Sequence, residues 1–190
     1  MQLLVDLDGV VVEYDFPKLV KQYFKVDLAR QQIYAYDMAD VLGVSNKSID
    51  DMFKEQVFGR PNFIPGALET LQGWYGEHEI VIFSNRVKYM GFQGLSKWLK
   101  GNKIPFDTVY HSGEYDFHID DSPAKLMNIN SKTKLLFNQP WNEGCLNIEK
   151  KLKRVFNWVD IEKEVSDEES GVGDNNYLRN NSGKPVSHLR

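Results

Sequence analysis

Short apolar runs alternate with helix-like segments along most of this chain. With the polar residues that end some of them, the runs cover residues 1–9, 79–85, 106–110, 116–121 and 134–137. Nearly continuous apolar runs of this length are typical of strands buried in a parallel sheet. Helical spacing of apolar residues is found at 17–25, 28–58, 67–75 and 90–100. The alternation predicts an α/β fold in which right-handed crossovers join parallel strands.

One connection is too long for a simple crossover. Residues 14–63 separate the first two strands and have helical spacing without a convincing strand, so we interpret them as a small helical cap inserted after the first strand. The α/β core then comprises residues 1–13 and 64–160. Residues 166–190 have little apolar content, and we expect them to form a disordered tail because such a segment buries too little surface to offset its ordering entropy.

Composition and charge narrow the possible partners. The 190 residues have 42% hydrophobic and 26% charged content, which is typical of a globular domain. The net charge of −4 gives no electrostatic basis for binding duplex nucleic acid or an anionic membrane. No apolar stretch reaches the length of a membrane span, and the single cysteine, Cys145, excludes an internal disulfide. We therefore expect a cytoplasmic protein.

Polar residues follow three of the predicted strands at the point where each ends. They are Asp6, Asp8, Ser84, Asn85, Asp120 and Asp121. The carboxyl ends of parallel strands meet at one edge of the sheet, where α/β folds bind their ligands. Carboxylate, hydroxyl and amide oxygens suit a hard divalent cation, most naturally Mg²⁺. Asp8-Gly9 alone is also a common turn dipeptide, so the coincidence of three strand ends is the stronger indication.

These residues resemble the motifs of the haloacid dehalogenase superfamily of phosphatases. Asp6-Leu7-Asp8-Gly9 is similar to its first motif, Ser84 to its second, and the segment 119–123 (Ile-Asp-Asp-Ser-Pro) to its fourth. Within the superfamily the chain is most similar to the 5′(3′)-deoxyribonucleotidases, through the early helical segment, Pro65-Gly66-Ala67, Lys88 and the segment 136–142. The resemblance covers about residues 1–157 and implies a Rossmann-like core and a nucleotidase activity.

The resemblance also implies a role for each matching residue. Asp6 would be the nucleophile that forms an aspartyl-phosphate, and Asp8 the general acid and base. Mg²⁺ would be bound by Asp6, the backbone carbonyl of Asp8, and Asp121, with Asp120 as support. Ser84 would bind phosphate oxygens. The remaining candidates for substrate contact are Asn85, Lys88 and Phe58. Asn85 could instead cap the following turn, Lys88 could be a solvated helix residue, and Phe58 could pack in the core.

The chain departs from the superfamily pattern at one position. A lysine is expected shortly before the acidic pair, but residues 110–115 (Tyr-His-Ser-Gly-Glu-Tyr) contain neither lysine nor arginine. The replacement charge could come from Arg86, Lys88, Lys103, Lys125 or His111. Two other functions therefore stay open beside a 5′-nucleotidase. One is a phosphatase of a sugar phosphate or a polynucleotide 3′ phosphate, and the other is a non-catalytic phosphate-binding protein.

Overall fold

The computed structural model describes residues 1–28, 38–56, 59–110, 112–145 and 152–171. Within these ranges, six parallel strands form the main sheet in the order β5-β4-β1-β6-β7-β8. The strands are β1 (Gln2–Asp6), β4 (Glu79–Phe83), β5 (Thr108–Val109), β6 (Tyr115–Asp120), β7 (Ser131–Phe137) and β8 (Leu152–Val155). The predicted α/β fold with a parallel, Rossmann-like sheet is confirmed.

Strand β8 is absent from the sequence-based prediction. It lies at the edge of the sheet, where Lys153 is exposed and Val155 is buried. An edge strand has fewer buried positions than a central strand, so its sequence lacks a continuous apolar run. The central strand β1 shows the contrast, because Leu3, Leu4 and Val5 are fully buried.

Helices follow most of the strands; the first five match the predicted segments, whereas the last two have no counterpart in the prediction. In the described ranges they are α1 (Phe16–Phe24), α2 (Met38–Leu42), α3 (Asn46–Gln56), α4 (Ala67–Trp74), α5 (Val87–Gly101), α6 (Pro123–Asn128) and α7 (Trp158–Glu169). The Asp15 carboxylate accepts a hydrogen bond from the Lys18 backbone N–H and caps α1. Ser45 caps α3 in the same way through the Ser48 N–H. No helix in the described part of the chain is long and apolar enough to span a membrane.

A small two-stranded antiparallel sheet joins the two ends of the inserted segment. Strand β2 (Val12–Glu13) pairs with β3 (Asn62–Phe63), although residues 14–63 show no convincing strand in the sequence. Two-residue strands are too short to show an alternating pattern. Helices α1 to α3 lie between them in the chain and share a hydrophobic cluster of their own around Val20 and Met52. The division into core and cap stays a prediction, for which this small sheet offers a natural boundary.

Helix α7 corrects the predicted start of the tail. Residues 166–169 continue this helix, whose buried side chains Trp158, Ile161 and Val165 form one apolar stripe. The low apolar content of residues 166–169 predicts disorder, but these residues form the last turn of a helix that is anchored by its apolar stripe. The rest of the predicted tail, from residue 172, lies outside the described residues.

Candidate functional site

The predicted site residues lie at the carboxyl ends of three neighbouring strands. Strand β1 lies between β4 and β6, and Asp6 is its last residue. Ser84 follows β4 directly, and Asp120 ends β6 with Asp121 next in the chain. The sheet therefore brings together residues that are up to 115 positions apart (6 to 121). This juxtaposition was expected from the pattern of strands.

Three buried carboxylates form a compact group at this edge. One oxygen of each of Asp6, Asp120 and Asp121 lies within 4.8 Å of the others, and the three residues are 2%, 0% and 4% exposed. The side chain of Asp8 is outside this group. Carboxylate oxygens at such spacing are the ligand type that Mg²⁺ prefers. Since β6 places Asp120 and the following turn places Asp121, the backbone fixes both positions.

The electrostatics of this group favour a bound cation. Burial, together with the neighbouring Asp120 carboxylate, raises the pKa of Asp6 well above its usual value. The same two causes raise the pKa of Asp121 to about 8. Among the described residues, Asp120 Oδ2 has no hydrogen-bond partner, although His118 Nε2 lies 3.4 Å away. Acids crowded without enough positive charge are the arrangement that a divalent cation would stabilise, so the residues fit Mg²⁺.

Lys125 supplies positive charge to the same group. Its Nζ lies 3.0 Å from Asp6 Oδ1 and 3.6 Å from Asp120 Oδ2. It also lies 5.1 Å from the centre of the Phe83 ring. Ser122 accepts a hydrogen bond from the Lys125 backbone N–H and caps helix α6, which sets the direction from which the lysine enters. Of the cations considered from the sequence, Lys125 contacts the proposed nucleophile.

Asp8 pairs with a different cation. Arg86 Nη2 lies 2.8 Å from Asp8 Oδ1, and Arg86 Nε lies 3.1 Å and 3.2 Å from the two carboxylate oxygens. Ser84 Oγ donates to Asp8 Oδ2 at 3.3 Å and accepts from the Arg86 backbone N–H. Ser84 is therefore close to the acid–base candidate as well as to the strand edge.

A glycine and a tryptophan shape the turn beside Asp121. Gly9 has a φ of +86°, and a Cβ there would lie 2.3 Å from Asp121 Oδ2. The same carboxylate oxygen accepts a hydrogen bond of 2.9 Å from Trp141 Nε1. Asn142, in the 3₁₀ turn Pro140–Asn142, donates to the Asp121 backbone carbonyl at 2.8 Å. The segment 136–142 thus holds the second aspartate of the acidic pair.

A cavity of about 790 Å³ opens over this site. Its walls include residues of the acidic site, of α1 and of α3, with Asn85 and Lys88 on the α5 side. Lys88 Nζ lies 2.6 Å from Asp50 Oδ1, so it joins α5 to α3 in this structure. Asn85 lines the cavity as expected. The candidate Phe58 lies outside the described residues.

Comparison with known families decides the assignment. Residues 1–167 match the sequence model of the family described as 5′ nucleotidase, deoxy (pyrimidine), cytosolic type C protein. The chain belongs to this 5′-nucleotidase family. It is therefore a phosphatase of the haloacid dehalogenase type, as the motifs around Asp6, Ser84 and Asp120 had indicated.

Solved structures similar to this nucleotidase family member are distant in sequence. One is a Lactobacillus plantarum protein provisionally assigned as a phosphoglycolate phosphatase, with 13% identity, a TM-score of 0.48, and coverage of 85% of this chain and 97% of that chain. Another is a haloacid dehalogenase superfamily hydrolase (subfamily IA, variant 1) from Geobacter sulfurreducens PCA, with 12% identity, a TM-score of 0.46, and coverage of 85% and 94%. None of the curated proteins matches the chain.

Two features of the nucleotidase site were not evident from the sequence. The sequence offers Lys125 and Arg86 only as two of several candidates to replace the missing lysine. The spacing Asp121-x-x-x-Lys125 across a helix N-terminus could have indicated that the lysine returns toward the acidic pair. No comparable signal in the sequence links Arg86 to Asp8.

Proposed function

We propose that this protein is a Mg²⁺-dependent 5′-nucleotidase that removes phosphate from (deoxy)ribonucleoside monophosphates. The observation that carries the proposal is the group of Asp6, Asp120 and Asp121 with Lys125 beside it. Of these residues, Asp6, Asp121 and Lys125 line a cavity of about 790 Å³. The family description, which names deoxy and pyrimidine nucleotidases of cytosolic type, supports the substrate class and a cytoplasmic location. A small phosphorylated molecule is therefore the proposed partner.

The reaction would proceed in two displacements. In the first, an Asp6 oxygen attacks phosphorus, the P–O bond to the nucleoside breaks, and Asp8 gives its proton to the leaving oxygen. In the second, Asp8 takes a proton from water, which attacks the phosphorus of the aspartyl-phosphate and releases inorganic phosphate and free Asp6. The difference in environment between the two acids, one beside Lys125 and one beside Arg86, supports these separate roles.

Mg²⁺ would be held by Asp6, the backbone carbonyl of Asp8, and Asp121. When bound, it would neutralise negative charge so that an anionic substrate can approach an anionic nucleophile. Asp120 supports this arrangement, because its Oδ1 accepts a 2.8 Å hydrogen bond from the Ser122 backbone N–H while Oδ2 lies near Lys125.

Lys125 would take the place of the lysine missing from residues 110–115. A cation 3.0 Å from Asp6 Oδ1 is positioned to attract both the nucleophile and the phosphoryl group that is transferred to it. Ser84 and Asn85 are proposed to bind phosphate oxygens, and Lys88 to contact the substrate from the cavity wall. Phe58 stays a candidate for stacking on a nucleobase.

A phosphate-release screen tests the proposal. Purified protein is incubated with deoxyribo- and ribonucleoside monophosphates, sugar phosphates, a 3′-phosphorylated oligonucleotide and p-nitrophenyl phosphate, each with Mg²⁺ or with EDTA. We expect Mg²⁺-dependent release that is fastest from a nucleoside monophosphate. A preference for one of the other natural substrates would identify a different phosphatase, and no release from any substrate would leave the non-catalytic interpretation.

The nucleophile is tested by Asp6→Asn, with Asp40→Asn on the exposed face of α2 as the matched control. Asp6→Asn should abolish turnover without preventing folding, whereas Asp40→Asn should keep full activity. Retained turnover in Asp6→Asn would be incompatible with an aspartyl-phosphate on this residue.

A further inference from the structure

Arg86 is a buried arginine that the proposed chemistry does not use. The residue is 2% exposed, and its guanidinium Cζ lies 4.2 Å from the centre of the Trp98 ring and 5.5 Å from that of Tyr14. Its Nη2 also donates a hydrogen bond of 2.5 Å to the Tyr14 hydroxyl. Aromatic stacking and hydrogen bonds together restrict the guanidinium to one orientation.

Among the described residues, the carboxylate that the guanidinium holds is that of Asp8. The pair is bidentate, and its two side chains differ in environment, since that of Arg86 is 3% exposed and that of Asp8 is 32% exposed. Both residues line the cavity, but the Asp8 side chain is far more exposed there than that of Arg86. A planar fork fixes the direction of a carboxylate as well as its position, which a single ammonium cannot do.

Tyr14 connects this pair to the helices beside the cavity. It directly follows β2, at the start of the segment that contains α1 to α3, and its ring centre lies 5.8 Å from that of Phe53 in α3. Burial, with the Asp8 carboxylate next, raises the pKa of Tyr14 above its usual value, so its hydroxyl stays protonated. The contacts thus run from α3 through Tyr14 and Arg86 to Asp8.

A structural role alone gives a weak account of this arrangement. Enclosing a guanidinium costs desolvation energy, and apolar residues of similar volume commonly stabilise a fold as well as a buried ion pair does. Of the two side chains, the Asp8 carboxylate is the one with substantial exposed area at the cavity, so it is the group that a bound phosphate ester would meet.

We infer that Arg86 is a positioning residue whose fork, braced by Tyr14 and Trp98, aims the Asp8 carboxylate at the leaving oxygen. The inference rests on the proposed function, because it assigns Asp8 the proton transfer to that oxygen. Arg86 itself exchanges no proton and forms no bond with the substrate. Its removal should therefore impair the step that needs a proton donor and leave other steps largely intact.

The test compares two leaving groups in the first turnover. Release of a nucleoside from its 5′-monophosphate expels an alkoxide, which requires protonation, whereas p-nitrophenolate is a weak base that leaves without it. Rapid-quench and stopped-flow measurements would follow release of the alcohol before the intermediate is hydrolysed. The variants are Arg86→Lys, which keeps the charge and loses the fork, and Tyr14→Phe, which removes only the hydroxyl.

Arg86→Lys should slow nucleoside release about tenfold or more, with little change in p-nitrophenolate release. A tenfold loss is part of the roughly 10²–10⁴-fold rate acceleration that a positioned acid contributes. Tyr14→Phe should also slow nucleoside release with little change in p-nitrophenolate release, but by a smaller factor than Arg86→Lys. In an Asp8→Asn background, Arg86→Lys should add no further loss, because the residue acts through Asp8. Arg154→Lys is the matched control, since Arg154 also donates several hydrogen bonds but does not contact Asp8.

Three results would overturn the inference. They are equal slowing of both leaving groups by Arg86→Lys, an unchanged nucleoside rate, and the same altered ratio in Arg154→Lys. If the wild-type protein releases neither alcohol, the proposed function itself fails. A variant that does not fold is recognised by its thermal transition, and Tyr14→Phe then carries the test, because an unaltered ratio in that variant would equally contradict the inference.

Discussion

Replacing Lys125 with methionine should nearly abolish turnover while the protein still folds. The lysine Nζ lies 3.0 Å from Asp6 Oδ1, and at an effective dielectric constant of about 20 two unit charges at this distance attract by about 5–6 kcal/mol. Only the part of this attraction that is stronger in the transition state affects the rate. Loss of one preorganised electrostatic group typically costs about 3–4 kcal/mol, so kcat should fall about 10²–10³-fold.

The assay is steady-state phosphate release from the best nucleoside monophosphate at saturating Mg²⁺. Lys125→Arg should retain more activity than Lys125→Met because it keeps the charge near Asp6. Lys132→Met is the matched control, since Lys132 pairs with Asp116 on the surface and its side chain is 76% exposed. It should leave kcat unchanged.

A kcat close to that of the wild type in Lys125→Met would refute the reasoning. It would mean that another cation neutralises the phosphoryl group, and that the contact with Asp6 balances charge only in the resting protein. A Lys125→Met variant with the wild-type thermal transition but no activity would give the clearest support.

Three further predictions follow from the same geometry. The pKa of Asp121 is raised to about 8, so the metal-free fold should lose stability as the pH rises from about 4 to 8. Mg²⁺ should therefore raise Tm more at pH 8 than at pH 5, and equal Tm shifts at the two pH values would contradict this expectation. Gly9→Ala should abolish Mg²⁺-dependent activity because its Cβ would collide with Asp121, whereas Gly43→Ala, with positive φ but open space, should cost only about 1–2 kcal/mol in a denaturation curve. Lys88→Ala should raise KM more than it lowers kcat, because Lys88 contacts Asp50 and not the reacting acids, and kinetics showing mainly a kcat loss would place it in the chemistry.

The arrangement of strand ends could be predicted because it depends on short-range patterns. An apolar run followed by polar residues identifies the end of a buried strand, and parallel pairing places such ends on one edge. These two patterns are sufficient to predict that Asp6, Ser84 and Asp120 lie close together, as the sheet order shows. Strand β8 and the small sheet of β2 and β3 are not marked by such a pattern in the sequence. An edge strand and a two-residue strand bury too few side chains to produce one.

The pairing of Asp8 with Arg86 could not be predicted because it depends on side-chain direction in three dimensions. Arg86 and Lys88 both lie near the start of α5, yet one pairs with Asp8 and the other with Asp50 on α3. Nothing in the linear sequence separates two cations that are two residues apart. The packing of Trp98 and Tyr14 on the guanidinium makes the difference. Trp98 lies further along the same helix, whereas Tyr14 comes from a segment distant in the chain.

The first motif contains two aspartates of identical chemistry, and their surroundings distinguish them. Asp6 is enclosed with two other carboxylates and one lysine, so its charge is balanced only when a cation joins the group. Asp8 lines the cavity, and a bidentate arginine fixes the orientation of its carboxyl group. An acid that needs a metal is suited to attack phosphorus beside that metal. An acid that is paired, oriented and open to solvent is suited to exchange protons with the leaving group and with water. On the proposed mechanism, the separate pairing of Lys125 and Arg86 would allow one short motif to supply both a nucleophile and an acid–base residue.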